Sequence, residues 1–417
     1  MKLLLKSATI IDSKSVYHNT IQDILIEKGS ITKIAKNITC PANCKELKLN
    51  NLHVSQGWFD SSVCLGEPGF EERETIANGL QTAALSGFTS VAMLANTNPI
   101  LDNSSDITFV KSKAKHHAVN LLPIGALTTE SKGEHLAEMF DMKNAGATAF
   151  YDYKKPITNA NMLKIALQYA SNFNALVCSF PQDNSISRNG VVNENISSTS
   201  LGLKGNPNLA EALQVSRDLF ILDYTKGKLH IPTISTAESV NLIREAKKKK
   251  LDVSCSVAIH NLIYTDSVLE SFDTNYKVKP PLRTAKDVAA LIEGVKDGTI
   301  DMVTSDHNPL NIELKNIEFD YASYGTIGLE SFYGALNTLF SAKKTIKILT
   351  SGKSRFGIET TSITEGSKAN LSLFNPKGKS TFQINNIHSK SKNSMFLNTA
   401  QEGLVYGIFA NNTLIIK

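Results

Sequence analysis

The chain has 417 residues, a hydrophobic fraction of 41% and 24 glycines. With glycine counted, the apolar share is about 47%, inside the ~45–50% of globular domains; this excludes intrinsic disorder, a collagen-like chain and a small disulfide scaffold. Lys and Arg number 44 against 39 acidic residues, a net charge of +5, too small and too scattered to mark a nucleic-acid surface.

The densest basic run, Lys247 to Lys250, reads as a helix end, where lysines complement the negative pole of the helix dipole. Five cysteines (Cys40, Cys44, Cys64, Cys178 and Cys255) are odd in number and mostly far apart. They suit a reducing cytoplasm better than a disulfide framework. The apolar run at Met1–Lys6 is too short for a signal peptide. No stretch of eighteen apolar residues is present, so no membrane span is expected.

In chain order, residues 1–55 read as short strands. Leu3–Leu5, Ala8–Ile11, Asp23–Ile26 and Ile31–Ile34 are separated by turn residues such as Lys28-Gly29-Ser30. The middle, 56–350, alternates buried strands with helical patterns. Strands are expected near 57–65, 89–94, 121–126, 147–151, 175–179, 228–231, 252–257 and 301–305. Eight β/α units in about 300 residues predict an α/β fold, a TIM (β/α)8 barrel, with chemistry at the C-terminal strand ends. Residues 360–417 return to strand texture, and Asn411-Asn412 suits a hairpin turn. Both ends are expected to form one small β-sandwich domain, 1–55 plus 360–417.

The strand ends carry a resemblance. Gly66-Glu67-Pro68-Gly69-Phe70, Ala95-Asn96-Thr97-Asn98-Pro99, Pro280-Pro281-Leu282-Arg283, Asp297-Gly298-Thr299-Ile300-Asp301, Ser305-Asp306-His307-Asn308-Pro309 and Gly328-Leu329-Glu330 occur in order over nearly the whole chain. Together they resemble the dihydroorotases of the amidohydrolase superfamily. The resemblance implies pyrimidine biosynthesis, a barrel mouth holding one or two zinc ions, and a homodimer.

The resemblance also implies ligand columns, and most of them are altered here. Ser62 and Cys64 stand where the family has a His-x-His pair, and Gly66 stands where it has a carboxylate-binding Arg. Phe180 and Thr233 occupy two further His columns. Asp152 is the candidate for the strand 4 bridging ligand, although Tyr153 can hold that column. Asp306 keeps the aspartate that is ligand and general base in the family. Asn96 keeps a substrate-binding column, and Lys279 replaces the Asn that usually precedes Pro-Pro-Leu-Arg. Zinc prefers imidazole, thiolate and carboxylate, so the expectation is a mouth without a zinc cofactor and a vestigial Asp306.

Three functions follow from that reading. The first is an inactive homologue serving as partner or scaffold, for example of aspartate carbamoyltransferase. The second is an active zinc-dependent dihydroorotase or related cyclic amidohydrolase. The third is a sensor of a small anionic ligand in the old pocket. No nucleic-acid or membrane partner is expected.

Overall fold

The computed structural model describes all 417 residues. Eight parallel strands follow one another around the middle of the chain: β1 (Trp58–Val63), β2 (Phe88–Met93), β3 (Asn120–Gly125), β4 (Ala149–Phe150), β5 (Val177–Cys178), β6 (Leu229–Ile231), β7 (Val253–Ala258) and β8 (Met302–Thr304). Each pairs with the next in sequence order. All eight strands expected from the sequence are present. Every residue in them is buried, except at the entry to β3. That is the signature of parallel strands covered on both faces.

The ring closes between β8 and β1. Val63 bridges to His307, and the Cys64 amide donates to the His307 carbonyl at 2.8 Å. Asp60, fully buried in β1, strengthens the seam. Its carboxylate accepts from the Thr304 hydroxyl, from the Ser305 amide at 3.1 Å and from the Ser62 amide at 3.1 Å. Burial pushes the Asp60 carboxyl up to about 6, against the pull of these donors. One carboxylate thereby fixes the ends of the first and last strands, where Ser62 and Asp306 sit.

The two ends of the chain share one eight-stranded sheet. Lys2–Ile11 pairs antiparallel with Ile21–Glu27 and parallel with Lys45–Leu47 and His53–Gln56. His53–Gln56 then pairs antiparallel with Leu371–Thr381, which continues to Ala400–Ala410 and Thr413–Ile416. At the last hairpin Asn411 and Asn412 both take positive φ, 49° and 57°, the turn that Asn tolerates best. Residues 389–395 leave this sheet and lie on the barrel, where Ser389 donates to Glu330 and the Leu310 amide donates to Asn393. No helix is long and apolar enough to cross a membrane.

Barrel and terminal sheet meet at Trp58. Its ring stacks on Tyr333 at 4.8 Å and touches Phe88 and Phe374. Its amide donates to Ser372, whose hydroxyl donates on to the Gly87 carbonyl at 2.6 Å. Gly87 has φ +92°, and a Cβ there would stand 2.5 Å from the Trp58 ring, so only glycine fits. Trp58→Ala is expected to lower stability by about 3–5 kcal/mol, as large aromatic truncations in cores do. Urea denaturation measures the loss.

Candidate functional site

The site is built at the C-terminal ends of β1, β4, β5, β6 and β8. Its centre is an ion pair. Lys154, four residues past the end of β4, donates from Nζ to Asp306 Oδ2 at 2.7 Å. Both side chains are almost wholly buried, 9% and 2% exposed. Ser62 donates from Oγ to the other oxygen, Asp306 Oδ1, at 3.1 Å. Both carboxylate oxygens of Asp306 are thus engaged by side chains from β1 and from the loop after β4.

Both members of this pair, and Thr233 after β6, have left-handed backbone. Lys154, Thr233 and Asp306 have φ of 53°, 50° and 50°. A non-glycine residue there costs of order 1–3 kcal/mol and persists only where its surroundings fix it. For Lys154 the fixing contacts are the ion pair and its own amide, which donates to the Tyr151 hydroxyl at 3.0 Å.

The remaining residues of interest are placed as follows. Cys64 is buried, and its sulfur accepts from Asn96 Nδ2 at 3.3 Å. Burial pushes the Cys64 thiol up to about 11. Phe180 is buried beneath Lys279, whose ammonium lies 5.2 Å from the ring centre. Thr233 is buried with its hydroxyl unpartnered, and its amide donates to Ser256 Oγ. Lys279 makes no hydrogen bond or ion pair. Burial and then the neighbouring Lys154 push it down to about 8. With Arg188 and Lys204, which make no ion pair either, it lines a cleft of about 490 Å³.

One expectation is corrected. Asp152 does not face the mouth. It turns back to accept from the Leu127 amide at 2.9 Å, the Thr128 amide at 3.0 Å and the Thr128 hydroxyl, and so staples the loop after β3. Its carboxylate is consumed structurally. The neighbouring Tyr153 holds the inward position, packed edge-on to Tyr151 at 6.1 Å.

The histidines near the mouth do not replace the altered columns. His230 is held between Ser254 and Ser256 at 2.9 and 3.2 Å, and burial pushes it down to about 3. His307 Nδ1 accepts from the Gly328 and Leu329 amides at the start of the helix Leu329–Leu339. Burial holds it at about 4, neutral at physiological pH. His260 is fully buried with both ring nitrogens unpartnered.

Zinc is the group the resemblance implies, and the donor set does not fit it. No three His, Cys, Asp or Glu side chains come together as a metal cage. The one carboxylate that faces the mouth is already neutralised by an ammonium, which repels a cation. The carboxylate-binding Arg is not restorable at Gly66 either. A Cβ there would stand 2.1 Å from the Phe70 carbonyl oxygen and 2.8 Å from that of Glu74.

Fold and site together define a barrel of the amidohydrolase class with a sheet built from both chain ends. The L-hydantoinase of Arthrobacter aurescens superposes with a TM-score of 0.87 at 19% identity, covering 100% of this chain and 96% of that one. The dihydropyrimidinase of Brevibacillus agri gives 0.84 at 20% identity, covering 100% and 95%. A dihydro-orotase-like family model matches residues 53–239. The dihydroorotase of Pelotomaculum thermopropionicum is 39% identical over 424 residues, covering 100% of this chain and 99% of its own. That of Geobacter metallireducens is 37% identical over 424 residues, covering both chains fully. The chain belongs to the dihydroorotase family.

Sequence reasoning missed Lys154. The only signal was a lysine next to the strand 4 column, and its reach to Asp306 is a property of the fold. Lys154→Met is expected to lower stability by about 3–5 kcal/mol, because it strands a buried carboxylate. Lys154→Met with Asp306→Asn recovers most of that loss. Urea denaturation of the single and double variants reads the coupling.

Proposed function

We propose that this chain is a dihydroorotase-family protein of pyrimidine biosynthesis that does not perform zinc-hydroxide chemistry and acts as a partner or scaffold, for example beside aspartate carbamoyltransferase. The observation that carries this reading is the Lys154–Asp306 ion pair, with Ser62 on the second carboxylate oxygen. A metal-bound hydroxide needs several ligands that hold the ion and lower the pKa of its water to about 7. Here the potential ligand is committed to an ammonium, the single thiol of Cys64 cannot replace two imidazoles, and Phe180 and Thr233 offer no imidazole.

Asp306 remains in the place of a general base. General base action alone typically contributes ~10²–10⁴-fold, and it requires a nucleophile to serve. What the mouth retains is positive charge, in Lys279 with Arg188 and Lys204 around one cleft. This supports a residual affinity for small anions. The five free cysteines suit a reducing compartment such as the cytoplasm.

The 37–39% identity to proteins named dihydroorotase favours a second reading, an active enzyme interconverting carbamoyl aspartate and dihydroorotate. A steady-state assay in both directions, with zinc supplied, separates the two. The expected result is no turnover above a protein-free blank, in the native chain and in Ser62→His with Cys64→His, since Phe180 and Thr233 still leave half of the cage empty. Zinc-dependent turnover that is lost in Asp306→Ala would establish the second reading.

A further inference from the structure

The cleft of about 490 Å³ that holds Lys279 is walled by three separate segments. Arg188 and Lys204 come from the segment between β5 and β6, Lys279 from the segment after β7, and Asp320, Tyr321 and Tyr324 from the segment after β8. The first wall is pinned. Its strands Val192–Asn193 and Gly205–Asn206 pair with each other, and the buried Arg283 donates to Asn193 Oδ1 and to the Asn206 carbonyl. Neither Lys154 nor Asp306 lines the cleft, so it lies beside the ion pair rather than on it.

The charge of the cleft is unbalanced. Arg188, Lys204 and Lys279 make no ion pair, and Asp320 is the one carboxylate on the walls, which leaves two positive charges in excess. Lys279 is half-buried over the Phe180 ring at 5.2 Å, a contact that holds an ammonium without neutralising it. A ligand group with two negative charges completes this set, and phosphate oxygens suit both ammonium and guanidinium donors.

Two further features of the walls call for more than an anion. Asn206 is 4% exposed; its Nδ2 donates to Gln182 Oε1 at 3.2 Å, and its Oδ1 is buried without a donor. A buried acceptor left unpaired is costly, and an N–H on the ligand satisfies it. Tyr321 is 78% exposed and offers a ring on which a planar heterocycle stacks. A small dicarboxylate uses the cations but leaves the acceptor and the ring idle, whereas a heterocycle carrying both an N–H and a phosphate uses all of them.

We propose that this cleft binds a nucleoside monophosphate, with the phosphate on Arg188, Lys204 and Lys279, the base against Tyr321 and a base N–H on Asn206 Oδ1. The proposal rests on the reading above that the mouth keeps an affinity for anions and runs no zinc-hydroxide chemistry. Isothermal titration calorimetry on the full chain tests it, with uridine monophosphate, uridine and inorganic phosphate as separate probes. The expected result is one nucleotide per chain with a Kd on the order of 10–100 μM, ordinary for a ligand of this size, and binding of uridine or phosphate weaker by about 10-fold or more. Lys279→Met weakens the nucleotide by about 10-fold or more. Arg188→Gln with Lys204→Gln, at two exposed positions, does the same if Lys279→Met impairs folding. Tyr321→Ala weakens the nucleotide by about 5-fold or more and leaves phosphate binding unchanged. Lys347→Met, outside the cleft, changes nothing. No nucleotide binding, phosphate that binds as tightly as the nucleotide, or nucleotide binding that survives the Arg188 and Lys204 substitutions overturns the proposal. Turnover in the dihydroorotase assay on the same preparation overturns the reading of the mouth instead, and the titration still decides this one.

Discussion

The ion pair between Lys154 and Asp306 is the constraint around which the barrel mouth is arranged. Two buried charges are tolerable only when each is paired and its remaining hydrogen-bonding capacity is met. Asp306 meets this with the Lys154 ammonium on one oxygen and the Ser62 hydroxyl on the other. The pair ties the end of β8 to the loop after β4, and Ser62 adds β1. Left-handed backbone at Lys154 and Asp306 is local strain that the pair and its surrounding contacts hold in place. The electrostatic role a metal ion would play beside this aspartate is filled by a side chain of the protein itself.

The scaffold does not depend on what the mouth contains. Asp60 closes the ring between β1 and β8 through three donors, and Trp58 locks the barrel to the terminal sheet. Neither contact uses the side chain of a residue in a metal-ligand column; Ser62 enters only through its backbone amide. A barrel of this kind can exchange its site residues while keeping its architecture, which is why fold and chemistry must be argued separately. The superpositions on hydantoinase and dihydropyrimidinase structures speak to the scaffold; the donor set in the mouth speaks to the chemistry.

Much of the fold was legible in the sequence, because a strand buried on both faces leaves a short apolar run between helical patterns. β4 and β5 are only two residues long, yet their flanking apolar residues marked them. The site was legible in part. Ser62 at Asp306, and Cys64 beside Asn96, lie together because sequence order fixes which residue ends each strand. Asp152 was misplaced, since a residue two positions past a strand faces inward or outward according to its hydrogen bonds, and three donors from Leu127 and Thr128 draw it away. Lys154 was overlooked because a lysine in a loop reads as solvated, and only the folded chain places its ammonium 152 residues away in sequence, on Asp306. The crowding at Gly66 was equally invisible, as it comes from two carbonyls that return to the same point.

The central claim is that the mouth is neutralised by lysine and takes no catalytic metal. Metal per chain, measured by inductively coupled plasma mass spectrometry on the full protein purified with zinc supplied, tests this most directly. The account predicts zinc below about a tenth of an equivalent, unchanged in Asp306→Ala, because no set of three or four N, S or O ligands converges there. Stoichiometric zinc in the native chain that disappears in Asp306→Ala would contradict it.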